Sequence, residues 1–211
     1  MPELPPDEMQ ARAKAFYERH KTRRSVRHFS DRPVPDGVVE DAIRAAGASP
    51  SGANLQPWHF AVVRDPKIKR CIRLAAEEEE RSFYEERAPE EWLRAIAPME
   101  TDACKPFLET APALVAVFMK NQVTGPDGKP QKTYYPKESV SIALGYFMAA
   151  LHEAGLATLI HTPSPMGFLK SILQRPDGEK ALFLMVVGYP VEGCTVPDLE
   201  RLSLEEIASF H

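Results

Sequence analysis

The hydrophobic positions of the chain change their period several times, and each change predicts a new element. Apolar residues at helical spacing predict longer helices over 6–21, 36–46, 66–87 and 138–156. Uninterrupted apolar or β-branched runs predict strands over 58–64, 113–120, 158–162 and 181–190. Residues that typically begin or end helices support these bounds, because Asp65 can cap the third helix and Gly155 can end the fourth. We also expect a short helix over 167–174 and a last one that begins at a Ser203–Glu206 capping box.

The order of these elements predicts an α+β domain with a mixed central sheet and helices on both faces. The fourth helix is apolar on most of its circumference, so we expect it to be central and buried. With 211 residues and no low-complexity linker, the chain is expected to form one domain over 1–211. No Gly-x-Gly-x-x-Gly segment follows a predicted strand, which disfavours a Rossmann nucleotide site.

Charge and cysteine usage narrow the class of protein. A net charge of −4 argues against a nucleic-acid-binding protein, whose domain normally carries a basic excess. The three cysteines are odd in number and far apart, which is typical of a reducing compartment and offers no Cys-x-x-Cys motif. The N-terminus has no apolar signal core, and no apolar run approaches the roughly 20 residues that span a bilayer. We therefore expect a cytoplasmic protein, and the histidines show no metal-site spacing.

A basic cluster and a small-residue loop carry the first candidate chemistry. Three arginines and a serine within residues 23–27 can bind a phosphate through charge-assisted hydrogen bonds. In an extended segment Arg23, Ser25 and Arg27 would share one face, although such a cluster alone is more often a solvated patch. The loop over 49–54, Ser-Pro-Ser-Gly-Ala-Asn, lets backbone approach a flat ligand closely, but most such loops are ordinary turns.

A third group of candidates is polar and charged. Glu80 and Tyr84 stand four residues apart on the third predicted helix, so both side chains lie on one helix face. Lys105 follows after a break marked by proline. A free amino acid needs an anion for its ammonium and a cation for its carboxylate, and Glu80 with Lys105 supplies that pair. The alternative is a solvated charge run over 77–80 and an unrelated lysine.

The order and spacing of these segments resemble a known family. Similarity to the N-terminal half of nitroreductase-fold flavoproteins comes from RRSVRHFSDRPVPDGVVEDAIRAAGASPSGANLQPWHFAVVRDP. Similarity to the iodotyrosine deiodinases, a subgroup of that superfamily, comes from EEEERSFYEE, CKPFLETAP, YYPKESVSIALGYFMAALHEAGLATLIHTP and VPDLERL. The resemblance implies a nitroreductase-like fold and an intertwined homodimer whose site is built from both chains. It also implies a substrate lid at about 77–106 and a C-terminal arm from about 190.

The resemblance further implies FMN as the cofactor, bound by distant parts of the chain. Its phosphate and ring edge would be held by Arg23, Arg24, Ser25, Val26 and Arg27. Its isoalloxazine would lie against Pro50, Ser51 and Gly52. Thr162 would place a catalytic hydroxyl near flavin N5, beside His161, and Arg201 would reach FMN as well. His161 departs from the animal enzymes, which have threonine there, and the segment after Pro163 is one residue shorter.

For the substrate, the resemblance implies that Glu80, Tyr84 and Lys105 close over the zwitterion of a halotyrosine. The backbone N–H of Ala53 would bind the phenolate. The implied reaction is FMN-dependent reductive dehalogenation, which releases halide and tyrosine. The animal members carry a membrane anchor ahead of this region, which this chain lacks, so the resemblance implies a soluble relative.

Other functions remain open at this point. A nitro- or quinone reductase with broad substrate choice would share the fold, as would an enzyme that destroys reduced flavin to make the cobalamin lower ligand. A flavin-binding sensor without turnover is the alternative from a different class. The trio of Glu80, Tyr84 and Lys105 favours the dehalogenase. No nicotinamide motif is visible, so the electron donor could be NAD(P)H or a separate reductase.

Overall fold

A computed structural model describes residues 3–99 and 101–211, and the elements of the chain follow the predicted order. The helices are α1 (Pro6–His20), α2 (Asp36–Gly47), α3 (Pro66–Ser82), α4 (Glu90–Ile96), α5 (Phe107–Thr110), α6 (Pro136–Glu153), α7 (Gly167–Ile172) and α8 (Leu204–Ile207). The strands are β1 (Trp58–Val63), β2 (Ala113–Lys120), β3 (Gln122–Thr124), β4 (Pro130–Lys132), β5 (Ala157–His161) and β6 (Glu179–Gly188). Short 3₁₀ turns cover Gly52–Asn54 and Ala97–Met99.

Four strands form the central sheet in the order β1-β2-β6-β5, and each neighbouring pair is antiparallel. The segment after α1 adds a parallel bridge between Ser25 and Thr158 of β5, so the sheet is mixed, as predicted. A small hairpin of β3 and β4 lies outside this sheet and was not among the predicted elements.

The core consists of two apolar layers, one on each face of the sheet. The layer that contains α3, α5 and α7 includes Leu114, Ala116 and Phe118 of β2. The layer that contains α2 and α6 includes Ala113, Val115 and Val117 of the same strand. All six side chains are fully buried, because successive residues of a strand point to opposite faces of its sheet. The prediction of helices on both faces is confirmed.

Helix α3 begins where the sequence predicts. One carboxylate oxygen of Asp65 accepts hydrogen bonds from the backbone N–H groups of Lys67 and Ile68, at 2.8 and 3.0 Å. Ile72 and Ala76 anchor the helix on the sheet. The predicted extent to residue 87 is right, but the last turn, Phe83–Arg87, is π-helical. The C-terminal half of α3 therefore extends from a part of the helix that is packed on the sheet.

Helix α6 is buried on one face only, which corrects the expectation of a wholly central helix. Ala143, Phe147 and Leu151 pack in the core, whereas Ile142 and Tyr146 are 44% and 49% exposed. Helix α1 buries none of its residues. The predicted capping box at the start of α8 is present. Within the described ranges, none of the helices combines the length and the apolar character needed to cross a membrane.

Candidate active site

The segment between α1 and α2 runs alongside β5 in an extended conformation. The backbone N–H of Val26 donates to the carbonyl of Thr158 at 3.3 Å, and the Val26 side chain lies in the core. Because side chains alternate along an extended segment, the neighbours of Val26 point away from the core. Ser25 and Arg27 accordingly both line a cavity on the surface of the domain.

Positive charge accumulates at this segment without a matching carboxylate. Burial, followed by the charges of Arg201 and Arg24, lowers the pKa of Arg23, which places these three guanidinium groups close together. Within residues 3–99 and 101–211, neither these three nor Arg27 has a carboxylate within 4.0 Å. Arg24 also donates to the carbonyls of Lys21 and Arg23. Mutually repelling cations with no counter-ion form a site for an anion such as phosphate.

The cavity beside Arg27 has a volume of about 560 Å³. Its wall is formed by residues from three parts of the chain: Ser25, Arg27, His28, Pro98, Met99, Thr101, Asp102, Cys104, Pro106, Phe107, Thr195, Val196 and Pro197. A volume of this size is sufficient for a ligand with several rings. The predicted lid segment therefore forms one wall, and the start of the predicted C-terminal arm forms another.

Glu80, Tyr84 and Lys105 come together behind this wall, next to its lining residues Thr101 and Asp102, as the hypothesis of a zwitterion site requires. The Nζ atom of Lys105 lies 3.4 Å from Oε2 of Glu80, and both side chains are largely buried. The same ammonium lies 5.8 Å from the centroid of the Tyr84 ring. It also donates to the Thr101 hydroxyl at 3.0 Å and to the carbonyl of Asp102. The alternative of a solvated charge run is wrong for Glu80.

Tyr84 is held in its neutral form. Burial and, next, the negative charge of Glu80 raise the pKa of its hydroxyl above the ordinary value. The hydroxyl therefore stays protonated over the physiological range, and it remains available as a hydrogen-bond donor.

His161 connects the ion pair with the arginine segment. Burial first, and then the charges of Lys105 and Arg27, lower its pKa to about 3. Its Nε2 has no hydrogen-bond partner among the described residues, and its ring meets the Phe107 ring edge-on at 5.9 Å. His161 is thus a buried neutral imidazole rather than a surface histidine. Thr162 follows it at the end of β5 and is exposed.

The loop over 50–53 makes its contacts elsewhere. The N–H of Gly52 donates to the Ser139 hydroxyl at 3.2 Å, and a Cβ at Gly52 would lie 2.3 Å from the carbonyl oxygen of Tyr134. Ala53 adopts a left-handed conformation with φ of 50°. None of the loop's hydrogen bonds in the described part of the chain reaches the arginines or the Glu80–Lys105 pair. The structure therefore does not bring Pro50, Ser51, Gly52 and Ala53 to the cavity within one chain.

Sequence reasoning missed several residues of the site. Met99 lies with its sulfur 4.0 Å from a guanidinium nitrogen of Arg27, and Thr101 and Asp102 bind Lys105. These residues belong to an irregular segment without periodicity, so no pattern marks them. Glu77 is buried as well, and its spacing of three residues from Glu80 was an available signal.

Comparison with known proteins shows the family of the chain. The model of the nitroreductase family matches residues 20–189. An iodotyrosine deiodinase of Haliscomenobacter hydrossis is 51% identical over 196 residues, which make up 93% of this chain and 88% of that protein. Iodotyrosine deiodinase 1 of Homo sapiens is 44% identical over 96% of this chain and 71% of its own. A crystal structure of oxidized iodotyrosine deiodinase bound to FMN and 3-iodo-L-tyrosine has a TM-score of 0.80 at 29% identity, covering 92% of this chain and 100% of that one.

The buried imidazole predicts a component of acid sensitivity. His161 takes up a proton with a pKa near 6.5 when unfolded but only at about 3 when folded, so stability falls as the pH drops below 6.5. Replacement of His161 with Gln, which does not titrate, should remove about 2 kcal/mol of the loss between about pH 7.5 and about pH 5. Urea unfolding of both proteins at the two pH values, at equal flavin concentration, measures this difference. Equal losses in the two proteins would contradict the assignment.

Proposed function

Because the chain belongs to the nitroreductase family and, within it, to the iodotyrosine deiodinases, we propose that it uses FMN to remove halide reductively from halotyrosines. The observation that carries this proposal is the buried Glu80–Lys105 pair, which lies directly behind the wall of the cavity that Arg27 lines. A simple nitro- or quinone reductase has no need of two opposite buried charges at its substrate site.

The arginine cluster fits the phosphate of FMN. Arg23, Arg24, Arg27 and Arg201 supply donors in excess of any protein acceptor, and the Ser25 hydroxyl adds another. We assign the flavin ring to the region of Val26, His161 and the exposed Thr162, whose hydroxyl would donate to the ring. When bound, FMN supplies two electrons that, with one proton, convert the carbon–halogen bond into a carbon–hydrogen bond and release halide. Those electrons come from NAD(P)H or from a separate reductase.

Glu80 and Lys105 bind the amino-acid part of the substrate. The ligand ammonium pairs with the Glu80 carboxylate, and the ligand carboxylate pairs with the Lys105 ammonium, while Tyr84 donates a hydrogen bond. Each protein charge thereby exchanges one buried partner for another, so neither is left uncompensated. The segment over 77–106 acts as a lid, since the side chains that hold the zwitterion come from it and exclude water when they close.

The phenol end of the substrate belongs to the loop over 50–53 of a second subunit. Within one chain this loop contacts the start of α6 rather than the cavity, yet Ala53 is exposed and free to bind a phenolate through its N–H. Exposed apolar side chains on α6 and α8, including Ile142, Tyr146 and Ile207, support a symmetric dimer that would cover them. Free cysteines support a reducing compartment, and we propose the cytoplasm.

The proposed function makes three predictions, of which the first concerns FMN. Arg23→Gln removes a charge-assisted hydrogen bond worth about 1.5–3 kcal/mol, so the dissociation constant of FMN should rise at least about tenfold. Flavin-free protein should not lose stability, because the substitution also relieves repulsion from Arg24 and Arg201. Fluorescence titration of FMN and urea unfolding measure the two effects. Arg44→Gln, on the surface of α2 beside Asp41, is the control and should leave FMN affinity unaltered.

If Arg23→Gln binds FMN as tightly as the wild-type protein does, the assignment of the phosphate site is contradicted. If the purified protein is colourless and takes up no added FMN, the assignment of FMN as the cofactor is contradicted.

The second prediction concerns assembly. If loop 50–53 completes the site of the partner, FMN-loaded protein should scatter light as a particle of about twice 23.6 kDa. Ile142→Glu places a charge in the exposed apolar face of α6 and should weaken both the dimer and FMN binding. A monomer that holds FMN as tightly as the wild-type protein would contradict the shared site.

The third prediction concerns the zwitterion. Glu80→Gln preserves shape but removes the charge that the ligand ammonium needs, so iodotyrosine binding should weaken more than about thirtyfold. Iodophenol, which lacks ammonium and carboxylate, should bind as before, and so should FMN. Quenching of flavin fluorescence gives all three constants. Glu78→Gln, an exposed neighbour paired with Arg81, is the matched control.

A broad nitroreductase makes the reverse prediction for Glu80→Gln. Iodotyrosine and iodophenol would then bind alike, and the substitution would be silent for both. That outcome, in a protein that still binds FMN, would leave the fold assignment intact and overturn the substrate assignment.

A further inference from the structure

The inner face of α3 carries a polar stripe that the proposed reaction does not use directly. Lys69, Arg73, Glu77 and Glu80 follow one another at intervals of four, four and three residues, so they share one side of the helix. All four contact the stretch from Lys105 to Ala111, which begins at the C-terminal end of the lid. The stripe therefore fixes this stretch to the helix at several points.

Glu77 makes the contact nearest to the ion pair. Its Oε1 accepts the backbone N–H of Lys105 at 2.7 Å and the Nε–H of Arg73 at 2.8 Å. Burial alone would raise the pKa of Glu77, but the hydrogen bonds from Arg73 and Lys105 outweigh it, and the pKa is lowered. Glu77 is thus a buried, ionised carboxylate that binds the main chain of a substrate-site residue.

Arg73 and Lys69 brace the other end of the stretch. Arg73 bridges Glu77 and Glu109, with its Nη1 at 3.2 Å from Oε2 of Glu109. The buried ammonium of Lys69 donates to the carbonyls of Glu109 and Ala111, each at 2.8 Å. Short α5 and the start of β2 are held in place by these contacts, so Glu77 reaches Lys105 from a framework that is already fixed.

The lysine itself needs such an anchor. Its side chain has four rotatable bonds. Its Nζ partners besides Glu80 are Thr101 and Asp102, which belong to the same lid segment rather than to the core. Asp102 and Cys104 are exposed. The hydrogen bond from the Lys105 backbone N–H to the Glu77 carboxylate fixes the position of Lys105 along α3, one helical turn from Glu80. That separation decides whether one α-amino acid group meets both charges.

We propose that Glu77 is a positioning residue of the substrate site, which holds the Lys105 main chain at the distance from Glu80 that an α-ammonium and an α-carboxylate together require. The inference rests on the proposed function, because it assigns Glu80 and Lys105 to the substrate zwitterion. Glu77 touches neither substrate nor cofactor and acts through Lys105. Its role is to make the site bind ligands that carry a zwitterion more tightly than ligands that do not.

The test compares two ligands on FMN-loaded Glu77→Ala, Glu77→Gln and the control Glu78→Ala. Iodotyrosine should bind at least about tenfold more weakly to Glu77→Ala, because the anchor of Lys105 is lost, while iodophenol should bind within about twofold of wild type. Glu77→Gln keeps a carbonyl acceptor and should recover part of the loss, leaving a ratio shifted about threefold. Glu78→Ala should leave both constants unaltered.

A merely structural role for Glu77 predicts a different pattern, in which affinity for both ligands and for FMN falls together. That pattern, or a ratio of the two constants within about twofold of wild type, would overturn the proposal. Should Glu77→Ala fail to fold, the ratio in Glu77→Gln decides alone by the same criterion. If Glu80→Gln is also silent, the proposed function fails; if Glu80→Gln acts and Glu77 variants do not, only the positioning role fails.

Discussion

Lys105 carries its ammonium group almost wholly out of solvent, and Glu80 is the carboxylate that compensates it there. Removing one partner of such a buried pair typically costs about 3–5 kcal/mol, so the pair exists only where the surrounding elements hold both charges in place. The proposed function uses the same condition for recognition of the substrate. A zwitterionic ligand offers each charge a new partner of opposite sign, whereas a ligand that carries only one of the two charges would leave one protein charge uncompensated.

The fold meets this condition by packing α3 and α5 on one face of β2. Ile72 packs α3 onto the sheet, and Leu108 packs the stretch after Lys105 into the same apolar layer. The extended segment that carries Arg27 is tied to β5 through Val26, and β5 ends at His161 next to the same cavity. One apolar layer thereby positions both the arginine segment and the ion pair that the proposed function uses.

Local signals in the sequence were sufficient for the elements but not for their contacts. Asp65 and the following proline predicted the start of α3, and the apolar run over 113–120 predicted β2 with its observed bounds, because caps and strand periodicity are short-range properties. Neighbouring glutamates have the same local chemistry, so nothing local distinguishes buried Glu77 from exposed Glu78. The left-handed conformation of Ala53 accompanies a contact with residues some 80 positions away, which no local pattern reveals.

The most direct test of the account is a titration of FMN-loaded protein with 3-iodotyrosine, its N-acetyl derivative and its methyl ester. Acetylation removes the charge that Glu80 binds, and esterification removes the charge that Lys105 binds, while the iodophenol ring is common to all three. The account predicts that each blocked ligand binds at least about thirtyfold more weakly than free iodotyrosine, since one buried charge then loses its partner. Equal affinities for the three ligands would contradict it.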